Sequence, residues 1–151
     1  MARPDPSDRS NWSVVIPVLQ EAQQLPSLLA QLQGPEEVWV IDGGSRDGSG
    51  QIARLMGAHW LRSAPSRGAQ LRLGAAQATR PWLLFLHADA RLPSHWASVL
   101  AAELRDPAVA AALSPQGEWA WLEAALVGAA GGLALPVPWL ALRRSRVGVG
   151  G

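Results

Sequence analysis

The sequence contains no cysteine, no tyrosine and no lysine. Without cysteine there is no disulfide framework, no thiolate metal site and no cysteine nucleophile. Without lysine there is no Schiff-base chemistry and no lysine for a Walker-type phosphate loop. All 13 basic residues are therefore arginine. Charge of either sign is also scarce, at 17% of residues against roughly 25% in ordinary soluble domains. The net charge is +1 and the one basic cluster is Arg143, Arg144 and Arg146, so nucleic acid is not an expected partner. Residues 1–11 hold Pro4, Asp5, Pro6 and Asp8 with no apolar run. They read as a flexible segment rather than a signal peptide, which places the expected site of action in the cytoplasm.

What is present is 151 residues, 48% of them hydrophobic, enough for one domain with a real core. Short apolar runs at Val14-Val15-Ile16, Val38-Trp39-Val40-Ile41 and Trp82-Leu83-Leu84-Phe85-Leu86, with a weaker one at His59-Trp60-Leu61, predict strands. Between them, Leu25, Leu28, Leu29 and Leu32 recur at helical spacing, as do Ile52, Leu55 and Met56, and then Leu71, Gly74, Ala75 and Ala78. The βαβαβαβ order predicts an α/β domain with a mostly parallel sheet and helices on both faces, spanning residues 12–113. A helix is expected over residues 93–104, and a strand or a helix over 108–113. Residues 114–151 are expected to be helical and apolar. Within them, 124–142 carry no charge, and a buried or membrane-surface helix is favoured over a bilayer span because Gly128, Gly131, Gly132, Pro136 and Pro138 interrupt the run.

In open α/β sheets ligands bind beyond the carboxyl ends of the strands, and here each strong strand runs at once into an acidic loop. These loops hold Glu21, then Asp42-Gly43-Gly44-Ser45-Arg46-Asp47-Gly48, then His87-Ala88-Asp89. Three carboxylate-bearing loops at one sheet edge repel an anionic ligand unless a divalent metal or an arginine intervenes. Plainer readings exist for each. Glu21 suits the first turn of a helix, Asp42 and Asp47 suit turns and caps, Arg67 and Gln70 suit a solvated helix start, and His87 suits a strand end. Gly48-Ser49-Gly50-Gln51-Ile52-Ala53 nominally fits a dinucleotide fingerprint, but no acid lies near position 73 to hold a ribose. No GxSxG motif supports a serine hydrolase.

Taken in order, the segments resemble family 2 glycosyltransferases of the GT-A fold over residues 13–96. Ser13 to Glu21 looks like that family's first strand and "IPxxNE" loop, with Gln20 in place of asparagine. Val40 to Gly48 looks like its "VVDGGSTDGT" loop, and Leu84 to Ala90 like the strand bearing "DxD", with His87 in place of the first aspartate. The His-Ala-Asp form with Arg67-Gly68-Ala69-Gln70 upstream is similar to a bacterial subgroup of small glycosyltransferases associated with radical-SAM and selenium-related proteins.

The resemblance implies transfer of a sugar from a nucleotide-diphosphate donor to an unknown acceptor, with inversion. It implies that Asp42 accepts from the base, with Gly43 beside it in the nucleotide-sugar site, that Pro17, Val18 and Glu21 line the base and ribose pocket, and that Asp47, Arg67 and Gln70 lie near the ribose or diphosphate. Asp89, with His87 beside it, is then expected to hold a divalent cation, Mn or Mg. On that reading Asp42→Ala weakens nucleotide binding with little loss of stability. The family's acceptor-side element has no match after Asp106, so the catalytic base is unassigned and the C-terminal part is expected to be truncated or divergent. Two alternatives stand beside transfer: a catalytically incomplete module that holds a nucleoside diphosphate, and a small protein associated with a membrane through 124–142.

Overall fold

The computed structural model describes residues 5–103 and 139–143. Strands β1 (Trp12–Val18), β2 (Glu37–Asp42), β3 (His59–Arg62), β4 (Trp82–Leu86) and β5 (Trp139–Arg143) form one sheet in the order β3-β2-β1-β4-β5. The first four are parallel, and β5 runs antiparallel along β4. The helices are α1 (Leu25–Ala30), α2 (Ser49–Leu55), α3 (Arg67–Gln77) and α4 (Trp96–Glu103).

The strand order explains the layering. The chain steps outward from β1 to β2 to β3 and then returns across β1 to β4, so right-handed crossovers put α1 and α2 on one face and α3 on the other. Side chains agree. Gly50 of α2 packs under Trp60, which shares a face with its register partner Val40. Gly74 of α3 packs on Val15 and Ile41, which point the opposite way. Strands covered on both sides must be apolar on both sides, and every residue of β4 is buried.

Local chemistry sets the helix limits. Pro26 has no N–H to donate, so it is tolerated only in a first turn, and α1 accordingly starts at Leu25. Glu21 therefore lies a turn ahead of the helix it was expected to open, its carbonyl accepting from the amides of Gln24 and Leu25. In α2 the inward face is Ser49, Gly50 and Ala53, small residues that allow close approach, and Leu55 is left 86% exposed.

Two expectations change. Residues 5–11 are not loose: Trp12 donates its indole N–H to the Pro6 carbonyl, Arg9 pairs with buried Glu36, and Arg80 reaches the Ser10 carbonyl. Arg9 also lies over the ring of Trp96, and Trp12 stacks on Trp82. The helix expected through 124–142 does not include its last residues, because Trp139–Arg143 form β5. The open edge of β4 presents backbone donors and acceptors that a strand satisfies and a helix cannot. The expectations for 104–138, including the strand or helix at 108–113 and the divergent acceptor side, lie outside the described residues. Among the described residues no helix is long and apolar enough to cross a membrane.

Candidate functional site

The topological switch point lies between β1 and β4, where successive connections leave in opposite directions. Just beyond it is a cleft of about 590 Å³ lined by residues that include Pro17, Val18, Glu21, Arg67, Gln70, His87 and Asp89. The sequence proposals for those positions thus converge on one place. Asp42, Gly43 and Asp47 are not among the lining residues.

What Asp42 and Asp47 do is hold loops. The Asp42 carboxylate is 1% exposed and accepts from the amides of Gly44 (2.9 Å) and Ser45 (2.7 Å) and from the Trp60 indole (3.2 Å). The next residues clasp the neighbouring β1–α1 loop. Gln20 N–H donates to Ser45 Oγ, Glu21 N–H to Ser49 Oγ and Ala22 N–H to Asp47 Oδ2. The bond back runs from Arg46 N–H to Gln20 Oε1. Three successive loop amides, which have no secondary-structure partner, are satisfied by three side chains of the facing loop. Gln20 pays for this geometry with a φ of 56°, a left-handed conformation that asparagine tolerates better. Gly43 lets the Pro65 backbone approach, since a Cβ there would lie 3.2 Å from Pro65 Cα.

Asp42→Ala is consequently expected to cost stability, contrary to the sequence-based expectation. Losing the acceptor for three donors amounts to about 1–2 kcal/mol where water can reach some of them. Urea unfolding of Asp42→Ala beside Asp42→Asn, which keeps one acceptor oxygen, measures it. An unchanged midpoint in the alanine variant would return Asp42 to a purely ligand-binding role.

Asp89 is positioned from behind by residues that sequence reasoning missed. Gln31 of the α1 C-terminus bonds both backbone groups of Leu92, at 2.6 and 2.9 Å. Arg91 spans the carbonyls of Ala88 and Ala90 and the side chain of Gln24. These bonds pin the loop after β4 to α1, and nothing local in the sequence signals a contact 61 residues away.

The electrostatics single out Glu21. Its carboxyl is held above the ordinary value, first by partial burial and then by the charges of Asp89 and Asp47, while His87 and Arg67 pull the other way. Asp42 shows the reverse balance. Burial pushes it up, but hydrogen bonds from Ser45, Gly44 and Trp60 together hold it below the ordinary value. Asp47 is lowered by the Ser49 hydroxyl and the Ala22 amide. Depressed carboxylates contribute stability in full above the ordinary 3.8 and lose it as pH falls through their lower folded values. Glu21 does the opposite: its charge opposes folding above its raised folded value, and that opposition is gone below 4.5. Glu21→Gln is therefore expected to add up to about 1 kcal/mol of stability near neutral pH, seen as a higher melting midpoint, and to change nothing in acid. A midpoint that falls at neutral pH would contradict the repulsion.

Among the described residues no three carboxylate or imidazole groups converge as a ready-made metal cage. Arg67, the first residue of α3, is exposed, and its side chain makes no hydrogen bond among the described residues. The positive end of α3 therefore opens on the cleft beside an exposed guanidinium whose charge already acts on Glu21, an arrangement suited to an anion.

Uncharacterised glycosyltransferases of Mycobacterium bovis and Mycobacterium tuberculosis are 30% identical to this chain over 93 residues, 61% of it and 43% of their own length. The chain thus spans less than half the length of these relatives. Mannosyl-3-phosphoglycerate synthase from Rubrobacter xylanophilus superposes with a TM-score of 0.57 at 20% identity, covering 70% of this chain and 41% of that one. Glucosyl-3-phosphoglycerate synthase from Mycobacterium tuberculosis, solved with Mn²⁺, UDP and glucosyl-3-phosphoglycerate, gives 0.56 at 21%, covering 89% and 57%. At such identities the likeness is one of fold. Residues 13–125 match the model of glycosyl transferase family 2, from β1 through the whole cleft, and the chain belongs to that family.

Proposed function

We propose that the cleft binds a nucleoside diphosphate sugar and that the protein transfers the sugar to an acceptor with inversion. The observation that carries this is the convergence of Glu21, Arg67, His87 and Asp89 on one cleft at the switch point of a family 2 domain. Pro17, Val18 and Pro65 are uncharged lining residues, suited to base and ribose. Gly43 backs those residues from the β2 side, against Pro65 and Gln70, and Asp42 holds the loop that follows it. Arg67 and the start of α3 suit the diphosphate, and Asp47 holds Glu21's loop beside it.

A divalent cation fits the donor set. Mg²⁺ is typically held by one or two carboxylates together with substrate phosphates rather than by an all-protein cage. Asp89 and His87 would hold it, and it would neutralise charge developing on the departing diphosphate. Glu21's raised carboxyl is the second support, because a cation there relieves its repulsion from Asp89. The same fold holds Mn²⁺ and UDP in the mycobacterial glucosyl-3-phosphoglycerate synthase. His87-Ala88-Asp89 and Arg67-Gly68-Ala69-Gln70 further support membership of the radical-SAM-associated subgroup. The histidine in place of a carboxylate favours one alternative, a module that holds the nucleotide without turnover.

Thermal unfolding against UDP, GDP, CDP and dTDP, each with and without manganese, tests the reading. A ligand at a hundred times its dissociation constant adds about 2.7 kcal/mol and moves the midpoint by several degrees. A shift enlarged by manganese is expected for at least one nucleotide. No shift with any of them, on a protein that melts cooperatively, would sink the proposal. Hydrolysis or transfer of the matching nucleotide sugar then separates an enzyme from a binding module.

A further inference from the structure

The cleft has charged lining residues (Glu21, Arg67, His87 and Asp89) and uncharged ones (Pro17, Val18 and Pro65), and one buried side chain is bonded to the uncharged set. Gln70 is 6% exposed, and its amide nitrogen donates to the carbonyls of Val18 (3.0 Å) and Ile41 (2.9 Å). Carbonyls only accept, so the orientation of this amide follows from its partners: the nitrogen faces the strand ends, with both hydrogens used. Oε1 is left on the other branch of the amide, and it accepts no hydrogen bond among the described residues. Gln70 also lines the cleft beside Val18 and Pro65, and a Cβ on Gly43 would lie 3.4 Å from its amide.

Such a group offers a ligand one acceptor and no donor. A diphosphate carries acceptors and negative charge, so it gains nothing from Gln70 and is repelled by Oε1. A nucleoside, by contrast, carries ribose hydroxyls and, in most bases, a ring or exocyclic N–H. We infer that Gln70 is a specificity-determining residue for the nucleoside half of the ligand, with Oε1 accepting a hydrogen bond from a ribose hydroxyl or a base N–H. The inference rests on the nucleotide-binding reading and narrows it: Gln70 serves the nucleoside and does not serve the diphosphate. The strand carbonyls make the acceptor rigid, so discrimination comes from a site that cannot turn to offer a donor instead.

The experiment compares dissociation constants by calorimetry for wild type and Gln70→Met, which keeps the side-chain length and loses the amide. The probes are the tightest-binding parent nucleoside diphosphate, its analogues lacking the 2′-hydroxyl, lacking the 3′-hydroxyl or methylated at the hydrogen-bearing base nitrogen, and inorganic pyrophosphate with manganese. One analogue is expected to bind wild type about tenfold more weakly than the parent. In Gln70→Met that ratio should fall to near one, with pyrophosphate binding as in wild type. The identity of the penalised analogue says whether ribose or base supplies the donor.

An unchanged ratio in Gln70→Met overturns the inference. So does a loss of pyrophosphate affinity equal to the loss for the parent nucleotide. If Gln70→Met does not fold, the wild-type series decides, and equal binding of every analogue overturns it. Failure of every parent nucleotide to bind removes the nucleotide reading itself. Binding of a parent without discrimination removes only the role of Gln70.

Discussion

Gly74→Ala lowers the melting midpoint, although helix propensity alone predicts a gain of about 1 kcal/mol for that change in a helix interior. The reason is the distance between α3 and β1. A Cβ at position 74 would lie 2.3 Å from Val15 Cγ1 and 3.2 Å from Ile41 Cγ1, and Val15 is fully buried in the middle of the sheet. Neither neighbour can retreat, since the other face of β1 is packed as well. Overpacking typically costs about 1–3 kcal/mol; at the upper end, where so short a contact belongs, the net loss is about 2 kcal/mol and the midpoint falls by roughly 4–8 °C. The control is the pair Val15→Ala and Val15→Ala/Gly74→Ala. With the valine methyls gone, alanine at 74 should be neutral or stabilising, a non-additivity that only direct contact produces. A Gly74→Ala protein as stable as the parent would mean that α3 sits farther from the sheet than described.

On the proposed function, Asp89→Asn is expected to erase the manganese-dependent part of nucleotide binding, a loss of at least about tenfold, since losing even a partner of a metal ligand costs that much. Metal-free binding and the unliganded midpoint should be unchanged or slightly raised, because the repulsion of Asp89 on Glu21 and on the diphosphate is gone. Asp89 is exposed and its carboxylate makes none of the bonds that hold its own loop. Gln31 and Arg91 do that through the backbone of residues 88–92. The amide keeps the shape and an oxygen but gives up the charge that a hard divalent ion requires. Titrating the nucleotide with and without manganese for both proteins measures the effect. An increment that persists in Asp89→Asn would place the ion elsewhere, with Glu21 the next carboxylate to change. The two predictions are separable, because one acts on a melting curve without ligand and the other only on its response to metal.

The parallel sheet was legible because β1, β2 and β4 are covered on both faces and so appear as continuous apolar runs. The α3 helix was legible because its inward face is made of small residues and Leu71. The cleft was legible too: the strand-end rule and the family resemblance together pointed to Glu21, Arg67, Gln70, His87 and Asp89. What could not be read was how the polar side chains of the loop after β2 are used. Asp42, Ser45, Asp47 and Ser49 find their partners in their own turn, in Trp60 and in amides 25–28 residues away, and that pairing exists only once β1 and β2 lie side by side. The same holds for Gln31 and Arg91 behind Asp89. Strand β5 was missed because its partner β4 is far back in the chain, and the local signal at 124–142 is a charge-poor run with no strand alternation. Leu55 misled in a small way, since an apolar residue at helical spacing need not face inward.

The clasp between the loops after β1 and β2 bears on how such a chain changes over generations. Its acid and hydroxyl side chains are mortar between two loops, so selection for a folded domain alone is enough to keep them. Arg67 and Asp89 carry no such duty, being exposed and outside the bonds that brace their loops. On the proposed function, a descendant that gave up sugar transfer would be free to drift at those two positions while the Asp42–Ser49 stretch stayed as it is. That stretch is therefore a marker of ancestry, and on the same proposal retained activity in a distant relative is better judged from the counterparts of Arg67 and Asp89.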